Sequence, residues 1–190
     1  MSRLQMKAWC DRKKSLSGFT ALEILSAVLI LCLIGAVAIP AFSNWLPAYH
    51  LRAACQDLFG NLQLAKTSAI EKGFKCTVCF YQPIEGSTYH YVIFIDSDND
   101  CEYDPGEQVL VRRTWGGEEF PGISFDPTKG GGDGITFSDN DENIPAISFQ
   151  PSGIPVSNSG GLGMGTAYLI NKKGKTAKVI VSCSGNIRIE

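Results

Sequence analysis

Hydrophobic positions divide the chain into three regimes. Residues 19–39 read FTALEILSAVLILCLIGAVAI, apolar or small throughout except for Glu23. At ~1.5 Å per residue, a helix of that length reaches ~31 Å, about one hydrocarbon core. Further along, Leu51, Ala54, Cys55, Leu58, Leu62, Ala65 and Ala69 recur in steps of three and four. They form one apolar stripe on a helix, and such a stripe needs a partner surface. Pro40 and Pro47 are expected to kink this helix, and Gly73 after Lys72 to end it. From Lys75 onward the periodicity becomes that of strands. These are Lys75–Tyr81, Thr88–Ile95, Gln108–Trp115, Gly122–Phe125, Ile135–Phe137, Ala146–Gln150, Thr166–Asn171, Thr176–Cys183 and Asn186–Ile189. Gly, Pro, Asn and Asp clusters separate them, and Lys172-Lys173-Gly174-Lys175 reads as a hairpin turn. No amphipathic helix alternates with the strands, which disfavours a doubly wound parallel sheet. The class predicted is α+β: one long N-terminal helix packed on an antiparallel, β-rich head.

Charge sharpens this division. Lys and Arg number 17, Asp and Glu 19, for a net charge of -2. That balance excludes a strongly basic nucleic-acid binder, and 44% apolar residues exclude a disordered chain. The average conceals an asymmetry, because Arg3, Lys7, Arg12, Lys13 and Lys14 face only Asp11 within residues 1–18. Removing that +4 from -2 leaves -6 for residues 19–190, which makes nucleic acid a still less favoured partner. A basic flank before an apolar run predicts a cytoplasmic N-terminus and a head on the other side of the membrane.

Several processing schemes fit the apolar run. A secretory signal cut after Ala38 matches Ala36-Val37-Ala38 but leaves a charge, Glu23, inside the run. A lipoprotein signal at Cys32 would follow the bulky Leu31. A plain signal anchor gives Glu23 no purpose, although the many Leu, Ile and Val residues outweigh its ~2.5–3.5 kcal/mol insertion cost. Lys13-Lys14-Ser15-Leu16-Ser17-Gly18, followed by Phe19-Thr20-Ala21-Leu22-Glu23, resembles the class III signal of type IV pilins and pseudopilins. The resemblance implies cleavage by a prepilin peptidase between Gly18 and Phe19 and methylation of the new Phe19 amine. It implies that Glu23, at the fifth mature position, pairs with the Phe19 amine of a neighbouring subunit. Pro40 matches a proline that the family often carries in its N-terminal helix. The domains expected are a removed leader (1–18), a transmembrane and assembly helix (19–46), an amphipathic helix (47–73) and a periplasmic β-rich head (74–190).

The head resembles the GspH/FimT family through Ala65–Ile70 (AKTSAI), the strand Tyr91–Ile95, an acidic loop closing on Gly106-Glu107, Phe149-Gln150-Pro151-Ser152-Gly153, and Val179–Ile189. The resemblance implies a minor pseudopilin or pilin without catalysis, anchored in the inner membrane and assembling near a filament tip for protein secretion. Other (pseudo)pilin subunits and secreted cargo are the partners it implies. Some FimT-like relatives serve DNA uptake with two arginines near the C-terminus. Here the tail has one, Arg188, and ends in Glu190.

Two groups of head residues carry candidate chemistry. Asp96, Asp98, Asp100, Asp104 and Glu107 follow EF-hand spacing, and their oxygens could converge on Ca²⁺. Cys101 stands where such a loop wants glycine, so a solvated acidic turn is the competing reading. Cys55, Cys76, Cys79, Cys101 and Cys183 are disulfide candidates in an oxidising compartment, with no pairing derivable. Cys76-Thr77-Val78-Cys79 has CxxC form, but in a strand the two side chains would point to opposite faces. His50 and His90 are expected to serve packing or surface roles.

Overall fold

The structure, a computed structural model, describes residues 19–190 except Glu118. Gly18 and the expected leader lie outside the described residues. The first element, α1 (Ala21–Lys72), is 52 residues long. Thr20 caps it: its Oγ1 accepts the Glu23 amide at 3.2 Å, and its carbonyl accepts the Glu23 and Ile24 amides. Its helical assignment continues through positions 40 and 47. The helix ends where Gly73, with φ +73°, donates its amide to the Ala69 carbonyl at 3.1 Å. Glycine enters this left-handed conformation without the steric cost that other residues carry.

The chain divides into two compact units, one reaching Phe42 and the other spanning Ser43–Glu190. In the first, the helix is apolar on every side and exposed. In the second, the rest of α1 covers two antiparallel sheets. All seven residues of the predicted stripe are buried: Leu51, Ala54, Cys55, Leu58, Leu62, Ala65 and Ala69.

Eleven strands follow among the described residues: β1 (Lys75–Phe80), β2 (Pro83–Ile84), β3 (Ser87–Thr88), β4 (Tyr91–Asp96), β5 (Gln108–Arg113), β6 (Ile123–Phe125), β7 (Ala146–Phe149), β8 (Pro155–Val156), β9 (Gly165–Asn171), β10 (Thr176–Val181) and β11 (Ile187–Ile189). One sheet has the order β5-β4-β1-β7-β8, the second β11-β10-β9-β6, and β2-β3 is a small ribbon. Every pairing is antiparallel, as the α+β reading requires.

The larger sheet is buried on both faces. Cys76, Val78 and Phe80 of β1, with Tyr91, Ile93 and Ile95 of β4, join the α1 stripe and the smaller sheet in the main core. Cys79, Val92, Phe94 and Ala146 face a smaller core on the other side, closed by Ile84 with the half-buried Tyr89, Tyr103, Val109 and Ile144. A sheet covered twice has no solvent face to impose polar alternation, so β1 and β4 read as continuous runs. In contrast, β9 alternates, with Ala167, Leu169 and Asn171 buried.

Two expected strands are corrected, and two short strands were not expected. The run predicted over 88–95 breaks at Tyr89 and His90, between β3 and β4. Tyr81 takes φ +57° and donates its amide to the His90 carbonyl at 3.0 Å, so pairing persists without regular strand geometry. Ile135–Phe137 makes one isolated bridge, Ile135 to Ala167, instead of a strand. The short β2 and β8 carry too few residues for periodicity to register. The Lys172–Lys175 turn does join β9 to β10, with the Gly174 amide donating to the Asn171 carbonyl at 2.9 Å.

Candidate functional site: an exposed apolar helix and an acidic loop

The N-terminal unit presents a run of exposed apolar side chains. Phe19 is 78% exposed and Leu22 77%, and Leu25, Leu29, Leu31, Leu33 and Val37 are exposed as well. By length and composition this helix is long and apolar enough to cross a membrane. Glu23 is exposed in the first turn. Thr20-Ala21-Leu22-Glu23 also has capping-box spacing, and an acid in the first turn favours a helix start. Position 40 lies within α1.

The acidic loop 96–107 closes on its own carboxylates. Asp96 is fully buried at the end of β4. Its Oδ2 accepts the Thr77 hydroxyl at 2.9 Å and the Cys101 amide at 3.1 Å, and its Oδ1 accepts the Asn99 amide at 2.7 Å. Glu107 accepts the Ser97 amide at 2.9 Å and the Asp104 amide at 3.2 Å. Burial holds both carboxyls above the usual carboxylate range, against the hydrogen bonds that favour their charged forms. The five predicted carboxylates do not meet as one ring. They form two trios that share Asp98: Asp96, Asp98 and Glu107, and Asp98, Asp100 and Asp104. Each trio has its oxygens within 4.8 Å of one another, a spacing a hard cation accepts. Cys101 does occupy a sharp turn, with φ +64°.

The described cysteines are all free thiols. Cys55, Cys76, Cys79 and Cys101 are buried, and Cys32 and Cys183 exposed. Cys76 faces the main core and Cys79 the smaller one, the opposition expected of a strand. Burial pushes the Cys55 thiol up to about 11 and that of Cys76 up to about 12, so neither is a nucleophile. Behind the sheet, Thr77 bonds Ser148, and Ser148 Oγ lies 3.0 Å from Cys101 Sγ. His90 is half-buried, its Nδ1 accepting the Trp115 amide at 3.1 Å, a packing role.

One polar cluster had no sequence signal. Tyr91, fully buried on β4, donates its hydroxyl to Asp57 Oδ2 at 2.6 Å and accepts Asn61 Nδ2 at 2.7 Å. Arg113 on β5 pairs with Asp57 at 3.1 Å and with Glu119 at 3.0 Å. This cluster fixes α1 against the larger sheet. A neighbouring contact fixes the other sheet, where Asn171 Nδ2 donates to the Pro47 carbonyl at 3.0 Å. In the C-terminal tail, Glu190 binds both Lys178 at 2.8 Å and Arg188 at 2.9 Å, so the single tail arginine is neutralised within the chain.

Comparison with known proteins gives three findings. A sequence profile of the family described as Type II transport protein GspH matches residues 54–185. The chain is 26% identical over 173 residues to the pilin-like protein PilA1 of Thermus thermophilus, covering 91% of this chain and 97% of that protein. The solved minor pseudopilin EpsH from the type 2 secretion system of Vibrio cholerae aligns with a TM-score of 0.46 and 13% identity, over 74% of this chain and 96% of that one.

Proposed function

Because the chain belongs to the Type II transport protein GspH family, we propose that it is a processed, membrane-anchored minor subunit of a pilus-like filament. Members of this family are structural pilus subunits, not enzymes. The chain is accordingly a pseudopilin- or pilin-like subunit of type II secretion or a type IV pilus, and its expected partners are other pilin subunits. In the reading we favour, prepilin peptidase cuts after Gly18 and methylates Phe19. The basic leader is then on the cytoplasmic side, the apolar stretch 19–46 spans the inner membrane, and the head 74–190 is periplasmic, supported by helix 47–73. During assembly the apolar helix exchanges lipid for neighbouring helices, and the subunit takes a place near the tip for protein secretion.

The observation that carries this reading is the exposed apolar stretch that starts at Phe19 and enters α1 at Ala21, with one acid, Glu23, four residues after Phe19. A lone carboxylate in hydrocarbon is costly, and pairing it with a neighbour's Phe19 amine removes much of that cost. Glu23 therefore sets subunit register more than it adds stability. Glu23→Val tests this directly. Membrane insertion persists in carbonate-washed membranes, while the variant is depleted from sheared filaments. Incorporation at the wild-type level contradicts the pairing.

A further inference from the structure

We propose that Cys79 and Cys101 form a disulfide pair that fastens the acidic loop to β1. The inference rests on the extracytoplasmic head proposed above, where an oxidising environment lets disulfides persist.

Position singles out this pair. Both side chains are buried, Cys79 wholly so within the smaller core. Cys79 Sγ lies 3.6 Å from the Cys101 carbonyl oxygen, although 22 positions separate the two residues. Among the described residues, the other cysteines of the head lie apart from this pair and from one another. Cys76 faces the opposite side of the sheet from Cys79. Cys55 and Cys76 are separated by the last 17 residues of α1, ~25 Å of helix. Cys183 is exposed in the turn between β10 and β11, at the far sheet.

Backbone geometry supplies a second observation. Cys101 sits at φ +64°, in the left-handed region where glycine or asparagine costs less. A thiol at such a position, on a residue whose carbonyl is held by Asn140 Nδ2 at 3.1 Å, points to a use for the sulfur. In the reduced structure that sulfur contacts Ser148 Oγ at 3.0 Å. Bond formation requires it to leave Ser148 and turn to Cys79.

The step balances simply. Two S–H bonds break and one S–S bond forms, releasing two protons and two electrons. The electrons reduce the disulfide of a thiol–disulfide oxidant, either a protein of the compartment or oxidised glutathione, to two thiols. The product closes the loop between β1 and the 96–107 turn and limits its excursions in the unfolded chain.

The test uses the full chain in detergent, held in oxidising or reducing glutathione buffer at the urea midpoint so that the buried thiols open. The protein is then refolded, alkylated and mapped by mass spectrometry. The expected product in the oxidising buffer is a peptide cross-linked between Cys79 and Cys101. Reduction then lowers the melting temperature by about 5–15 °C. Cys79→Ala and Cys101→Ala lose the cross-link, and their melting no longer responds to reductant. Alkylation of both thiols after oxidation overturns the proposal, as does a cross-link from either to Cys55, Cys76 or Cys183. A chain that forms the bond in glutathione but is isolated from membranes with free thiols upholds the pair and counts against the extracytoplasmic head.

Discussion

Replacing Asp57 by alanine should cost the head about 2–4 kcal/mol, and the reason is geometric. Asp57 is the acceptor for the Tyr91 hydroxyl at 2.6 Å, and Tyr91 is fully buried. A hydrogen bond to a charged group contributes about 1.5–3 kcal/mol, and a buried donor left unpaired costs about 1–3 kcal/mol, two partly overlapping contributions. The Arg113 pair adds little, because the Arg113 side chain is 33% exposed and water screens it. A double-mutant cycle with Tyr91→Phe isolates the contact. In the phenylalanine background no hydroxyl is orphaned, so Asp57→Ala should cost ~1 kcal/mol, giving a coupling of about 1–3 kcal/mol. Trp115, whose ring lies 5.5 Å from that of Tyr91, offers a fluorescence signal for urea unfolding of the full chain in detergent. A coupling below ~0.5 kcal/mol would refute the claim that this contact holds α1 to the sheet.

Leu58→Ala removes a fully buried side chain from the α1 stripe and should cost about 2–5 kcal/mol by the same unfolding assay. A loss under ~1 kcal/mol would mean that α1 does not pack there as described. The pH dependence of stability should separate two sets of carboxyls. Asp96 and Glu107 have raised folded values, so their stabilising contribution is present in acid and is lost as pH climbs from the ordinary value of ~4 through the raised ones. Asp126, lowered by hydrogen bonds from the Thr128 side chain and amide, contributes stability above ~4 that disappears as pH falls further. Urea midpoints measured across pH should therefore flatten above ~4 in Asp96→Asn and below ~4 in Asp126→Asn, and the reverse assignment would contradict both.

Periodicity exposed much of this architecture before any coordinates. The stripe from Leu51 to Ala69 was legible because a helix repeats every ~3.6 residues and only one face is covered. β1 and β4 were legible as strands from their β-branched and aromatic content, but burial on both faces hid which residues met α1. Thr77 and Ser148 therefore carried no sign that they would bind Asp96 and Cys101 behind the sheet. The acidic spacing was readable, whereas its division into two trios depends on turns such as Cys101 that only the folded loop reveals. Asp57, Tyr91 and Arg113 come from three distant segments, and a contact between them leaves no local pattern. The break at Tyr89–His90 escaped because a non-glycine residue, Tyr81, adopts positive φ.

The N-terminus of the chain isolated from membranes tests the central claim most directly. Intact-mass and N-terminal peptide mass spectrometry should find a polypeptide beginning at Phe19 and carrying one methyl group on its amine. A chain beginning at Met1, or at Ile39 after a secretory cut, would contradict the account of a processed filament subunit.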